Sequence, residues 1–239
     1  MSRSDATPGF ESVVATRRGD DGSTGLLYGG SRIAKDDART EAYGTIDEAV
    51  AALGIARANV GLKARLGALP RGLGGFGAMI LRLQRELFVA GAELATNPDA
   101  WDRLVDGTTR VSSEMVAGLD DLLAVIEPQI EMPREFVVPG ETPTSAALEL
   151  ARTIVRRAER CAVALRREGL VPGEYLVPYL NRLADLLWVL ARAAEQAESR
   201  RATPSRSGST GRASRSGTAP APSTAAAPST AATPSTPSR

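Results

Sequence analysis

Leu176-Val-Pro-Tyr-Leu-Asn-Arg-Leu-Ala-Asp-Leu-Leu-Trp-Val-Leu190 is the stretch that decides the fold. Leu176, Leu180, Leu183, Leu187 and Leu190 alternate steps of four and three, the period of a single helix face, within a block from about Gly173 to Arg200. A helix striped this way must bury that face against others. Four further blocks upstream supply them. Thr144 to Glu168 is followed by Gly169 as a C-terminal stop, and Ser112 to Ile130 opens on Ser112 or Ser113 as N-cap and closes around Pro128. Leu73 to Ala95 carries Met79, Leu83, Leu87 and Leu94, with a glycine run at Gly72, Gly74, Gly75 and Gly77 blurring its start. Arg39 to Val60 carries Ile46, Val50, Leu53 and Arg57. Five long helices with short connections predict an all-α, up-and-down five-helix bundle.

Composition agrees. Hydrophobic residues make up 43% of 239 but aromatics only 4%, which suits closely packed helices built on Ala, Leu and Val. The division expected is a flexible lead over 1–13, one helical domain over 14–199 and a tail over 200–239. That tail repeats Ser, Thr, Pro, Ala and Arg and cannot bury enough apolar surface to offset its ordering entropy, so disorder is expected there. It holds six Arg and no acid, so the net charge of +1 leaves the remainder near −5, which argues against a nucleic-acid partner. A lone Cys161 and the lack of any His exclude a disulfide framework and the usual soft-metal clusters. With no apolar run of membrane length and no signal-like core in Met1 to Glu11, a cytoplasmic protein without membrane association is expected.

Two regions carry chemistry. Thr16-Arg-Arg-Gly-Asp-Asp-Gly-Ser-Thr24, followed by Gly29, Gly30 and Lys35, offers backbone amides, hydroxyls and a point charge to a polyphosphate. It is not a Walker A loop, and a polar surface loop reads the same way. In the fourth helix Arg152, Arg156 and Arg160 lie four apart on one face, with Arg157 and Glu159 beside them. Such a line of guanidinium forks suits phosphate oxygens, or else forms a solvated face laced with ion pairs such as Glu149 with Arg152. Asn181, Asp185 and Trp188 border the stripe of the fifth helix, where an Arg of the fourth is a natural partner for Asp185. Asp47 and Glu48 either complement a helix dipole or pair between subunits. Phe136, in Phe-Val-Val-Pro-Gly, reads by itself as a core residue.

Together these motifs resemble the PduO-type cobalamin adenosyltransferases. Thr16 to Thr24, Lys35-Asp-Asp37 and Glu41-Ala-Tyr-Gly-Thr-Ile-Asp-Glu48 match the N-terminal half. Phe136 to Gly140, Ala151-Arg-Thr153, Arg156-Arg-Ala-Glu-Arg160 and Asn181-Arg-Leu-Ala-Asp185 match the C-terminal half, so the likeness covers roughly 14–198. It implies an enzyme that moves the 5′-deoxyadenosyl group of ATP, with Mg²⁺, to the cobalt of cob(I)alamin. A non-catalytic carrier or sensor of the same ligands is the alternative. It also implies a homotrimer with sites at subunit interfaces, a flavin reductase upstream and a hand-off to an adenosylcobalamin-dependent mutase. By resemblance Thr16, Arg17, Arg18, Gly19, Asp20, Gly22, Ser23, Thr24 and Lys35 hold the ATP phosphates, and Arg156, Arg157, Glu159, Arg160 and Asn181 complete that site. Asp47 pairs with Arg152 between subunits, Phe136 lies beneath the corrin ring, and Asp185, Arg152 and Asn181 flank the cobalamin. The sequence departs from the family pattern at Ala184, where Ser is usual, at Glu149, where His is common, at Glu141 within a usual Gly-Gly pair, and in a longer loop near Tyr28.

Overall fold

The computed structural model describes residues 14–59 and 75–198, together with the backbone of 203–204. Five helices carry it: α1 (Ala38–Ala58), α2 (Phe76–Ala95), α3 (Ser113–Ile126), α4 (Pro143–Arg167) and α5 (Leu176–Ala197). Their starts are set by local chemistry. The Asp37 side chain accepts from Arg39 N at 2.8 Å, and Ser112 accepts from Met115 N. Thr142 and Ser145 form a reciprocal capping box ahead of Pro143, whose missing N–H costs nothing in a first turn. Gly169, at φ 71°, ends α4 while Leu170 N donates back to Leu165 O at 2.9 Å, the pairing of a Schellman stop. The first part of the second expected helix, 73–74, lies outside the described residues.

Side-chain contacts fix the helix directions. Gln84 meets the carbonyl of Val50 while Gly91 faces Ile46, so α2 runs against α1. Glu86 meets Tyr179 and Glu93 meets Gly173, so α5 runs against α2. Glu159 meets Asn181 and Glu149 meets Arg192, so α4 runs against α5. Arg182 pairs with Asp120 near the middle of α3, which packs on α5. The up-and-down arrangement follows. Its core is narrow and alanine-rich: Ala42, Ala49, Ala52 and Ala56 are buried on α1, and Ala147, Ala151, Ala158 and Ala162 on the neighbouring α4, with Leu side chains filling the rest. Small residues let the helix axes approach, which is why so few aromatics suffice. No helix among the described residues is long and apolar enough to cross a membrane.

Glu93 ties the bundle to its connections. Buried near the end of α2, it accepts from Val111 N at 2.8 Å and Gly173 N at 3.0 Å, pinning the segments that enter α3 and α5. Gly173 is required there, because any Cβ would collide with the carboxylate. Burial pushes the Glu93 carboxyl above its ordinary value, against the pull of the two amides and Arg110. A raised folded value means that its contribution is full below the unfolded carboxylate value and fades as pH rises through the folded one. Glu93→Gln keeps one acceptor and sets an NH₂ against the other amide, so a loss of about 1–3 kcal/mol is expected. Urea unfolding should show the larger deficit at mildly acidic pH; a larger deficit on the alkaline side would contradict this assignment.

Two small ribbons flank the bundle. β1 (Ser23–Thr24) pairs antiparallel with β2 (Ile33–Ala34), and β3 (Val137–Val138) with β4 (Thr203–Pro204). In the second ribbon, backbone at 203–204 pairs with the strand after Phe136. The rest of the tail, and the lead over 1–13, lie outside the described residues.

Candidate active site

The N-terminal loop is a hairpin whose interior is already hydrogen-bonded. Lys35 N donates to Gly22 O at 2.9 Å, extending the β1–β2 ladder. Asp20 N donates to Arg17 O, Gly22 N to Gly19 O, and Ser23 N to Asp21 Oδ1. Amides of the loop are thus partly consumed, and its offer to an anion is mainly cationic: Arg17, Arg18 and Lys35 stand exposed, as do Thr16 and Asp20. Gly19 has a steric reason to be glycine, since a Cβ would sit 2.9 Å from Lys35 Nζ and 3.0 Å from Ser23 O. The ammonium therefore rests against the backbone of the loop. Arg32, which the sequence does not single out, braces the hairpin through Nη2 to Arg18 O and Ser23 O, both at 2.8 Å, and Nε to Ser23 Oγ at 2.6 Å. The Ser23 hydroxyl donates onward to Asp21, whose carboxyl is held below its usual range by the Ser23 amide and hydroxyl.

The arginine face of α4 forms a cleft of its own. Arg156, Glu159, Arg160 and Arg167 line a cleft floored by Val163 and Ala164, and among the described residues none from Thr16 to Thr24, nor Lys35, is part of its lining. Asn181 Nδ2 donates to Glu159 Oε1 at 3.1 Å, carrying the polar rim onto α5. Arg160 Nη1 folds back onto Arg156 O at 3.0 Å, and Arg157 pairs with Glu48 of α1. Arg156 is exposed and engages no carboxylate at ion-pair distance among the described residues. It does act on Asp185: burial raises that carboxyl, while Arg182 and Arg156 pull it down. Arg182, 3.9 Å away, is the nearer cation, so the partner expected from the fourth helix is joined by one from the carboxyl's own helix.

The remaining candidates occupy three places. Arg152 Nε bonds Glu149 Oε2 at 2.6 Å, the ion pair expected from their spacing. Asp47 stands exposed on another face, at the edge of an apolar groove between α1 and α2 formed by Tyr43, Ile46, Val50, Leu87 and Phe88. Phe136 is 79% exposed, so it is not the core residue its type suggests. Its loop is anchored on one side by Gln196, whose amide accepts from Glu131 N at 2.9 Å and donates to Glu131 O at 2.7 Å. The β3–β4 ribbon anchors the other side.

A family model for cobalamin adenosyltransferases matches residues 14–194, which takes in the hairpin, α1 to α4 with the arginine cleft, and all but the last residues of α5. The chain belongs to the cobalamin adenosyltransferase family. Among its relatives, a corrinoid adenosyltransferase of Citrobacter freundii is 40% identical over 182 residues, covering 76% of this chain and 94% of the relative. A corrinoid adenosyltransferase of Mycobacterium tuberculosis H37Rv is 38% identical over 190 residues, covering 76% and 88%. Solved structures agree in fold. A variant PduO-type ATP:co(I)rrinoid adenosyltransferase from Lactobacillus reuteri complexed with ATP superposes with a TM-score of 0.68 at 27% identity, over 81% of this chain and 100% of that one. A second variant from the same organism, complexed with cobalamin and ATP, gives 0.69 at 27% identity over 80% and 98%. The family match ends at residue 194, before the tail.

Proposed function

We propose that this chain transfers the 5′-deoxyadenosyl group of ATP to the cobalt of cob(I)alamin. The cobalt(I) electron pair attacks C5′, the C5′–O bond breaks, and its electrons leave on triphosphate as the cobalt becomes formally +3. One observation carries the reading: in a chain of this family, the exposed Arg156 stands in a cleft rimmed by Glu159 and Asn181. A leaving triphosphate gains negative charge as the bond breaks, and a guanidinium placed there stabilises that change more than it stabilises bound ATP. Magnesium enters as part of the MgATP substrate. No general base is needed, in keeping with a chain without His.

The complete site joins two copies. Among the described residues the lining of the Arg156 cleft includes no hairpin residue, and Asp47 edges an apolar groove while Arg152 lies on α4. A homotrimer in which Asp47 of one copy meets Arg152 of the next unites them, closes the groove and brings Lys35, Arg17 and Arg18 over the triphosphate. Phe136 then offers its exposed ring to the lower face of the corrin, excluding an axial ligand and easing reduction from the +2 state. Such a protein acts in a reducing, cytoplasmic setting beside a flavin reductase and an adenosylcobalamin-dependent mutase.

The direct test mixes the protein with MgATP and chemically reduced cobalamin and follows the absorbance change of cobalt–carbon bond formation. Binding of both ligands without that change would make the chain a carrier. Phe136→Ala should slow turnover started from cob(II)alamin about tenfold or more and spare reactions started from preformed cob(I)alamin. Equal losses from both starting states would remove Phe136 from the corrin face.

A further inference from the structure

Glu149 is an unusual residue to bury. It is only 3% exposed, and it is clasped from both sides: Arg152 Nε at 2.6 Å on Oε2 and Arg192 Nη2 at 3.3 Å on Oε1. Arg192 is 1% exposed and also donates to Glu195 Oε1 at 2.7 Å, and its guanidinium lies 5.6 Å from the Trp188 ring centroid. Three members of this chain of charges are sealed inside the bundle. Arg152 alone reaches the surface, its side chain 25% exposed. The contact with Glu149 uses Nε, so the terminal nitrogens are the donors left for a second partner. A free surface arginine spreads over many rotamers and forfeits that entropy on pairing; one tethered through Nε has already lost most of it.

We infer that Glu149, anchored from behind by Arg192 and Glu195, is a positioning residue that holds Arg152 in the orientation in which its terminal nitrogens receive Asp47 of a second copy. The inference rests on the interface pairing proposed above. It adds that the strength of that pairing is set inside the bundle, by side chains that never touch the other subunit or either substrate. A carboxylate at this place aligns the guanidinium edge; a neutral amide cannot hold it as firmly, because a charge-assisted bond is about twice as strong.

The experiment measures assembly by analytical ultracentrifugation or mass photometry on the full chain, with circular dichroism confirming that each variant is folded. Glu149→Gln should raise the trimer dissociation constant about tenfold, with Asp47→Asn and the double variant no worse than Asp47→Asn alone. Arg152→Lys keeps the charge but loses Nε, sits partly in solvent and therefore folds, and should weaken assembly similarly. Additive losses from Glu149→Gln and Asp47→Asn, or wild-type assembly of folded Glu149→Gln and Arg152→Lys, would overturn the inference. If Arg152→Ala itself leaves assembly unchanged, the interface pairing fails and takes the inference with it. If Arg152→Ala weakens assembly while Glu149→Gln and Arg152→Lys do not, the pairing stands and only the inference falls. Adenosyl transfer by wild-type protein is read separately, from the cobalt–carbon absorbance change.

Discussion

Arg156→Ala is expected to lower kcat by about 10²–10³-fold, the cost typical of removing one preorganised charge stabiliser from a transition state. The side chain is exposed on α4 and holds no carboxylate at ion-pair distance among the described residues, so its loss leaves the bundle unharmed and the deficit appears in chemistry rather than folding. Arg160→Ala provides the contrast. Its Nη1 is committed to the Arg156 carbonyl at 3.0 Å, which turns that guanidinium along its own helix, and a smaller loss is expected. Arg156→Lys keeps the charge without the planar fork and should fall between wild type and Ala. Removing Arg156 also takes away one of the two cations that counter the burial of Asp185, so the Asp185 carboxyl climbs further above its usual range. Steady-state kinetics at saturating ATP with preformed cob(I)alamin isolates the chemical step. A kcat within a few-fold of wild type would exclude Arg156 from the leaving-group site.

The two arginines illustrate what the sequence makes legible. Helix positions follow from period, caps and stops that act over four or five residues, which is why α1 and α3 to α5 lie close to their expected blocks, with Asp37, Ser112, Thr142 and Gly169 at the boundaries. The pair of Arg152 with Glu149 is equally local, three residues apart on one helix. Nothing local marks Arg192 or Glu195, which sit among alanines where a charged residue reads as solvent-facing; only the approach of α4 makes them interior. Arg32 escapes notice because two of its three contacts are backbone carbonyls, which every sequence offers everywhere, and the third is a single serine hydroxyl. Two-residue strands carry no periodicity at all, so the ribbon joining 203–204 to Val137–Val138 has no sequence signature. Phe136 shows the opposite limit. Its residue type points inward, while the structure exposes it, so hydrophobicity alone misplaces it.

The buried charges that escape the sequence are expected to dominate stability. Arg192→Met should cost about 3–5 kcal/mol of unfolding free energy, because it strands Glu195 and half of Glu149 without a cation in a water-poor interior. The network is not stabilising because it is ionic. Arg192 Nε and Nη1, Glu195 Oε2 and Thr144 Oγ1 find no partner among the described residues, so the desolvation cost is incompletely offset. Arg192→Met combined with Glu195→Leu should therefore recover much of the loss, since Glu149 retains Arg152 and no uncompensated charge remains at Glu195. The pH dependence separates this account from a simple packing defect. Burial already raises the Glu195 carboxyl against the pull of Arg192; without Arg192 it rises further. A carboxyl raised in the folded state supports the fold most below its unfolded value and loses that support as pH climbs through the folded one. The deficit of Arg192→Met should accordingly be modest in mild acid and grow toward neutrality, whereas a cavity would cost the same at both. Urea denaturation of the single and double variants across that window decides between them, and a pH-independent loss shared by both would rule out uncompensated charge as the cause.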